Sequence, residues 1–183
     1  MNLLDRLNRR NDGRPPLAIL GITLAALFLL FAIWAISSPV GSSNDETHHL
    51  RSMWCSNSQD GVCQTPIFVL DVPCFSERPD LTPACREPYD LKTTNARFGG
   101  GSGELRMLYY KFGGLVFNSD LESSVLRLRI INSLIATLMF GATLILGWGR
   151  LSRAFLVAFC VTVIPLGLFL IPSVNPQSWL FTG

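Results

Sequence analysis

No charged side chain interrupts residues 17–36, and charge is scarce throughout: 15% of the 183 residues, against 49% hydrophobic. That shortage, with a mean hydropathy of +0.35, suits a membrane protein better than a soluble domain of this length. Lysine and arginine (15) nearly balance aspartate and glutamate (13), so no basic field points to nucleic acid. The apolar content excludes disorder as the main state. A Walker loop, a Rossmann glycine fingerprint, an HExxH helix and a nucleophile elbow are all missing. The glycines at 99–103 follow no strand that would make them a phosphate cradle. No internal repeat is evident.

What is present is three apolar runs, at 17–36, 130–148 and 154–172. At 1.5 Å rise per residue, 20 residues cover about 30 Å, the thickness of a bilayer's hydrocarbon core. The third run contains Pro165, which membrane helices tolerate when neighbours satisfy the freed carbonyl. The first run is longer than a signal-peptide core and is followed by WAISSPVGSS, with no A-x-A site, so it reads as an uncleaved anchor. The expected fold class is an α-helical integral membrane protein. It has three transmembrane helices, a disulfide-containing external loop and short interfacial helices.

Basic residues orient these spans. The head, 1–16, carries Arg6, Arg9, Arg10 and Arg14, and the turn at 149–153 carries Arg150 and Arg153 without an acid. Both are expected on the cytoplasmic side of the plasma membrane. The loop at 37–129 and the tail at 173–183 then lie outside. Residues 37–126 carry 7 Lys/Arg against 11 Asp/Glu, in keeping with that side.

Four of the five cysteines, Cys55, Cys63, Cys74 and Cys85, fall in the loop. An even number outside suggests two disulfides, with three pairings open. The spacing C-x7-C-x10-C-x10-C lacks the CxxC knuckle of a zinc site. Cys160 sits in the third run as a small packing residue. Residues 44–54 read as a short helix, and the proline-rich 55–92 as turn-rich, irregular chain. After the glycines, Leu105, Leu108, Tyr109, Phe112, Leu115 and Val116 recur at helical spacing. Two readings of that helix stand open: it lies on the membrane surface, or it packs on a small core of the loop.

The chemically loaded stretch is SPVGSSNDETHHLRSMWC, directly after the first run. On a helix Asp45 and His49 lie at i and i+4, and Glu46 and His49 at i and i+3. Such a set can hold a divalent cation, with His48 as a second candidate ligand, or supply a general base. A plainer explanation of Glu46 is a capping box with Ser43. Asp45 in a first turn also suits the helix dipole. In LRLRIINS, Arg127 and Arg129 stand at the mouth of the second run. They either snorkel to lipid phosphates or clamp a phosphate-bearing substrate. SVNPQSWLF follows the third run, with Trp179 at interface depth.

The order of SPVGSSNDETHHL, LYYKFGGLVF, RLRIINSLIATL and IPSVNPQSW resembles the domain of unknown function 2142 family of predicted membrane proteins. That family looks related to the GT-C glycosyltransferases, which move sugars from polyprenyl-phosphate carriers at the outer face. The resemblance implies catalytic roles for Asp45 and Glu46, with Asp45 deprotonating the acceptor. It implies substrate contacts by Arg127, Arg129, Tyr109 and Tyr110, and a divalent cation (Mg or Mn) near His49 and His48. The implied partners are the bilayer, a polyprenyl-phosphate-linked sugar, and further membrane subunits or a missing C-terminal part, since GT-C folds have many more spans. Relatives carry prolines ahead of the tyrosine pair, where this chain has Arg106, Met107 and Leu108. Two other functions stay open: a non-catalytic envelope protein whose disulfide-linked ectodomain binds a partner, and a lipid transport or assembly subunit.

Overall fold

The computed structural model describes residues 17–43, 45–58, 62–70, 80–81, 92–97, 104–117, 120–147, 157–159, 161 and 165–182. In chain order they form α1 (Leu17–Ser37), α2 (Glu46–Trp54), β1 (Val62–Pro66), α3 (Ile67–Leu70) and β2 (Thr93–Arg97). Helices α4 (Glu104–Val116), α5 (Leu121–Leu146), α6 (Pro165–Leu170) and α7 (Gln177–Thr182) follow. The basic head, the turn at 149–153, the glycines at 99–103, Cys74, Cys85 and Cys160 lie outside the described residues.

Helix α1 is apolar on every side and buries Leu27, Phe31 and Ala35, spaced four apart, with Ala32. Helix α5 answers with Ala136, Phe140 and Leu144, also four apart, and Ile171 completes this core. Matched i, i+4 ridges are what let two helices interdigitate. Gly141 lies under Leu24, where a Cβ would come within 3.0 Å of the leucine Cδ1, so glycine allows the close approach. The outward faces stay bare: Ile22, Leu29, Ile33 and Ile36 on α1, and Leu134, Leu138, Ile145 and Leu146 on α5. Such a surface is unfavourable in water and stable against hydrocarbon. Both helices are long and apolar enough to cross a bilayer, and they are the two that qualify among the described residues. Of the expected third span, α6 covers Pro165–Leu170.

Helix α5 starts at Leu121 rather than at 130, so the loop expected to reach 129 ends earlier. Local chemistry sets this start. Asp120 is extended (φ −97°), its carboxylate faces the Ser123 N–H at 3.5 Å, and Glu122 stands in the first turn. Hydropathy marks only the lipid-soluble part of the helix. Its 26 residues measure about 39 Å.

A second core surrounds the Leu121 end of α5. Leu121, Val125 and Leu128 pack with Val40, Leu50, Met53, Val69, Tyr109, Tyr110 and Val174. Helix α4 therefore packs on a core through its tyrosine face. Residues 55–92, expected to be irregular, include β1 and α3. Strand β1 pairs antiparallel with β2, from Val62↔Arg97 to Pro66↔Thr93. A ladder to so distant a strand leaves no local pattern to read. The Cys55–Cys63 disulfide (Cα–Cα 5.2 Å) ties the end of α2 to β1. Beside it the Trp54 indole donates to the Gln64 carbonyl at 3.0 Å.

Candidate functional site

The site is organised by one buried ion pair. Arg129, on α5, and Glu46, the first residue of α2, have side chains 4% and 0% exposed, with Nη2 to Oε2 at 2.8 Å. Arg129 also donates from Nε and Nη2 to Glu46 Oε1, at 3.2 and 3.0 Å. Its remaining N–H groups go to the carbonyls of Ala35 (3.1 Å), Ser38 and Pro39 (2.9 Å). The Ala35 carbonyl lies in the last turn of α1, which has no intrahelical donor left for it, and Ser38 and Pro39 follow directly after the helix. A guanidinium has five N–H donors, and all of them are committed here. Arg129 thus joins α1, α2 and α5, and has no donor left for a substrate phosphate.

The loop after α1 is shaped to deliver Glu46. Ser42 N–H donates to Pro39 O at 3.2 Å, and Gly41 at the turn's third position has φ 84°, a backbone that favours glycine. This aims the Gly41 N–H at Glu46 Oε2, 2.7 Å away. The expected capping box does not form. Glu46 reaches Gly41 and Arg129, and the buried Ser43 hydroxyl has no hydrogen-bond partner among the described residues. The guanidinium fork outcompetes the neutral Ser43 backbone N–H, which a capping box would use, for the carboxylate.

Asp45 behaves differently from its neighbour. It is the N-cap of α2, makes no side-chain cap hydrogen bond, and is exposed. Its φ of 57° makes it the one non-glycine in the left-handed region among the described residues. Such a backbone costs of order 1 kcal/mol or more and persists only where the surroundings enforce it. Glu46, fixed on the next residue, supplies that enforcement.

The histidines do not converge on the two carboxylates. His49 Nδ1 lies 2.9 Å from the Tyr110 hydroxyl, with the rings stacked at 6.0 Å. His48 is exposed, and its Nδ1 accepts from Arg51 Nη2 at 3.2 Å. Among the described residues no group of three or more His, Cys, Asp or Glu is placed to hold a metal ion. The expected cation finds no ligand set there.

Tyr109 and Tyr110 are both buried at 2% exposure. The Tyr109 hydroxyl lies 3.4 Å from Asn132 Nδ2, and the same nitrogen donates to Ser173 O at 2.7 Å. Asn132 Oδ1 accepts from the Trp179 indole at 3.1 Å, and the Tyr109 and Trp179 rings meet edge-on at 4.9 Å. Burial pushes the Tyr109 phenol well above its usual range. Burial thus favours the neutral phenol, held beside Asn132 and Trp179. Asn132 escaped the sequence reading as a site residue. Its signal was there: an amide inside an otherwise apolar run is retained where it has partners. Ser133 and Thr137 bond back to the carbonyls of Arg129 and Ser133 at 2.8 Å each. Arg127 is exposed on α5, which leaves it as the basic group there that faces outward.

No curated protein and no solved structure matches the chain. The family described as "Predicted membrane protein (DUF2142)" matches over residues 28–183, a stretch holding α2, α4, α5 and both carboxylates. The chain belongs to this family of predicted membrane proteins.

Proposed function

We propose that the chain is part of a GT-C-like glycosyltransferase that takes a sugar from a polyprenyl-phosphate carrier at the outer face of the plasma membrane. The observation that carries this reading is the split between two adjacent carboxylates at the mouth of the candidate spans. Glu46 is locked against Arg129, while Asp45 is held exposed in a left-handed backbone. In this reading Asp45 accepts the proton of an acceptor hydroxyl as its oxygen attacks the anomeric carbon. The polyprenyl phosphate departs with the bonding electrons, and Arg127 faces its charge. Glu46 and Arg129 act as positioning residues, and no step runs through a metal. Three spans oriented with the head in the cytoplasm, and further spans beyond them, complete the proposal.

The test uses membranes carrying the full chain, supplied with a labelled polyprenyl-phosphate sugar and an acceptor preparation. Asp45→Ala abolishes transfer at unchanged protein level. Loss of a general base costs roughly a hundredfold or more. A second reading, an ectodomain that binds an envelope partner, is favoured by the Cys55–Cys63 link and the paired strands. It prevails if Asp45→Ala leaves the phenotype intact while Cys55→Ser abolishes it.

A further inference from the structure

Helix α4 has two apolar faces. One, with Tyr109 and Tyr110, is in the core; the other exposes Met107 (43%), Leu108 (57%) and Leu115 (78%) around the exposed Lys111. At 100° per residue these four positions fall within one wedge about 100° wide, opposite Tyr109, Tyr110 and Gly113, and Glu104 of the first turn shares its azimuth. Large bare apolar side chains beside charged positions are the composition of an interfacial helix face.

The depth of α4 follows from two independent rulers, both resting on the reading that α1 and α5 span the bilayer. Counting about 30 Å along α1 from Leu17 ends at Ile36. Counting the same distance back along α5 from Leu146 ends near Arg127. Arg129 binds the carbonyls of Ala35, Ser38 and Pro39, so the two end points lie at one level. Tyr109 shares a core with Leu121, Val125 and Leu128, and its hydroxyl approaches Asn132. The tyrosine pair of α4 therefore sits at that level, beside the part of α5 that carries exposed Leu126 and Arg127.

We infer that α4 is a membrane-surface anchor whose Met107, Leu108 and Leu115 enter the headgroup–acyl boundary of a phospholipid bilayer. Lys111 lies along the same face with its stem in the apolar layer and its ammonium at the phosphates. The anchor also fixes the height of α2, which packs on α4 through Met53 and Gly113. Asp45 is thereby held at the bilayer surface rather than above it.

The test is photocrosslinking of the full chain in cell membranes, with p-benzoylphenylalanine placed singly at Leu108, Leu115, Ile33, Leu138 or Asn95. The expected result is phospholipid adducts at Leu108 and Leu115 in yields like those at Ile33 and Leu138, and none at Asn95, exposed on β2. Adducts at Ile33 and Leu138 without any at Leu108 and Leu115 overturn the anchor alone. So does capture of a second copy or another protein at Leu108 and Leu115. Absence of lipid adducts at Ile33 and Leu138 as well overturns the spanning reading and the anchor with it.

Discussion

Replacing Glu46 by glutamine keeps the size and hydrogen-bonding shape of the side chain but removes one charge from a pair that is almost wholly buried. Arg129 then stays in place, held by the carbonyls of Ala35, Ser38 and Pro39, with no counter-charge. Breaking a buried pair from one side costs about 3–5 kcal/mol, because the remaining ion is desolvated without compensation. For a chain of this size that corresponds to a fall of roughly ten degrees in Tm. Arg129→Leu has a different profile: Glu46 is left unpaired, and the carbonyls of Ala35 and Ser38 lose their Arg129 donors as well. The double variant, Glu46→Leu with Arg129→Leu, removes both charges and recovers part of the loss. It does not recover all of it, since the Gly41 N–H and those two carbonyls lose these partners. Thermal melting in one detergent, followed by size-exclusion fluorescence, reads these differences. A Glu46→Gln variant melting within two degrees of the parent refutes the clamp, as does a double variant whose loss equals the sum of the singles.

Three further outcomes follow from the packing. Gly114→Ala places a methyl 2.9 Å from the Met53 backbone carbonyl, whereas the atoms nearest a Gly113→Ala methyl belong to the Met53 side chain. Overpacking costs about 1–3 kcal/mol, and Gly114→Ala melts lower than Gly113→Ala. Cys55→Ser opens the Cys55–Cys63 loop and costs about 2–3 kcal/mol; a non-reducing peptide map of the parent yields these two cysteines joined. Burial raises the Tyr109 pKa, so the stability gained from its neutral form is complete below the ordinary phenol value of about 10. That contribution is lost as pH rises toward the raised folded value. Absorbance titration of the folded chain at 295 nm shows a phenol that resists ionisation at pH 11, and Tyr109→Phe removes it.

Much of this was legible because long apolar helices declare themselves by length and lack of charge. The first run, 17–36, became α1 (Leu17–Ser37), and the tyrosine-bearing helix appeared where its spacing placed it. The start of α5 was misplaced because residues 121–129 mix polar and apolar side chains, and only the cap at Asp120 marks the boundary. Strand β1 was missed because its partner is β2, far along the chain. At the site, sequence singled out Asp45, Glu46, Arg127 and Arg129, but spacing on one helix could not reveal that Glu46 and Arg129 pair across 83 positions. Nor could it reveal that Tyr109, Asn132 and Trp179 meet through contacts between three elements.

The most direct measurement compares Asp45→Asn and Glu46→Gln for sugar transfer per folded molecule, in membranes supplied with a polyprenyl-phosphate donor. Asp45→Asn is expected to fold at the parent level and to lose transfer roughly a hundredfold or more. Glu46→Gln is expected to lose folded protein while each surviving molecule retains transfer. Parent-level transfer by Asp45→Asn, or a loss confined to Glu46→Gln at undiminished folding, contradicts this reading.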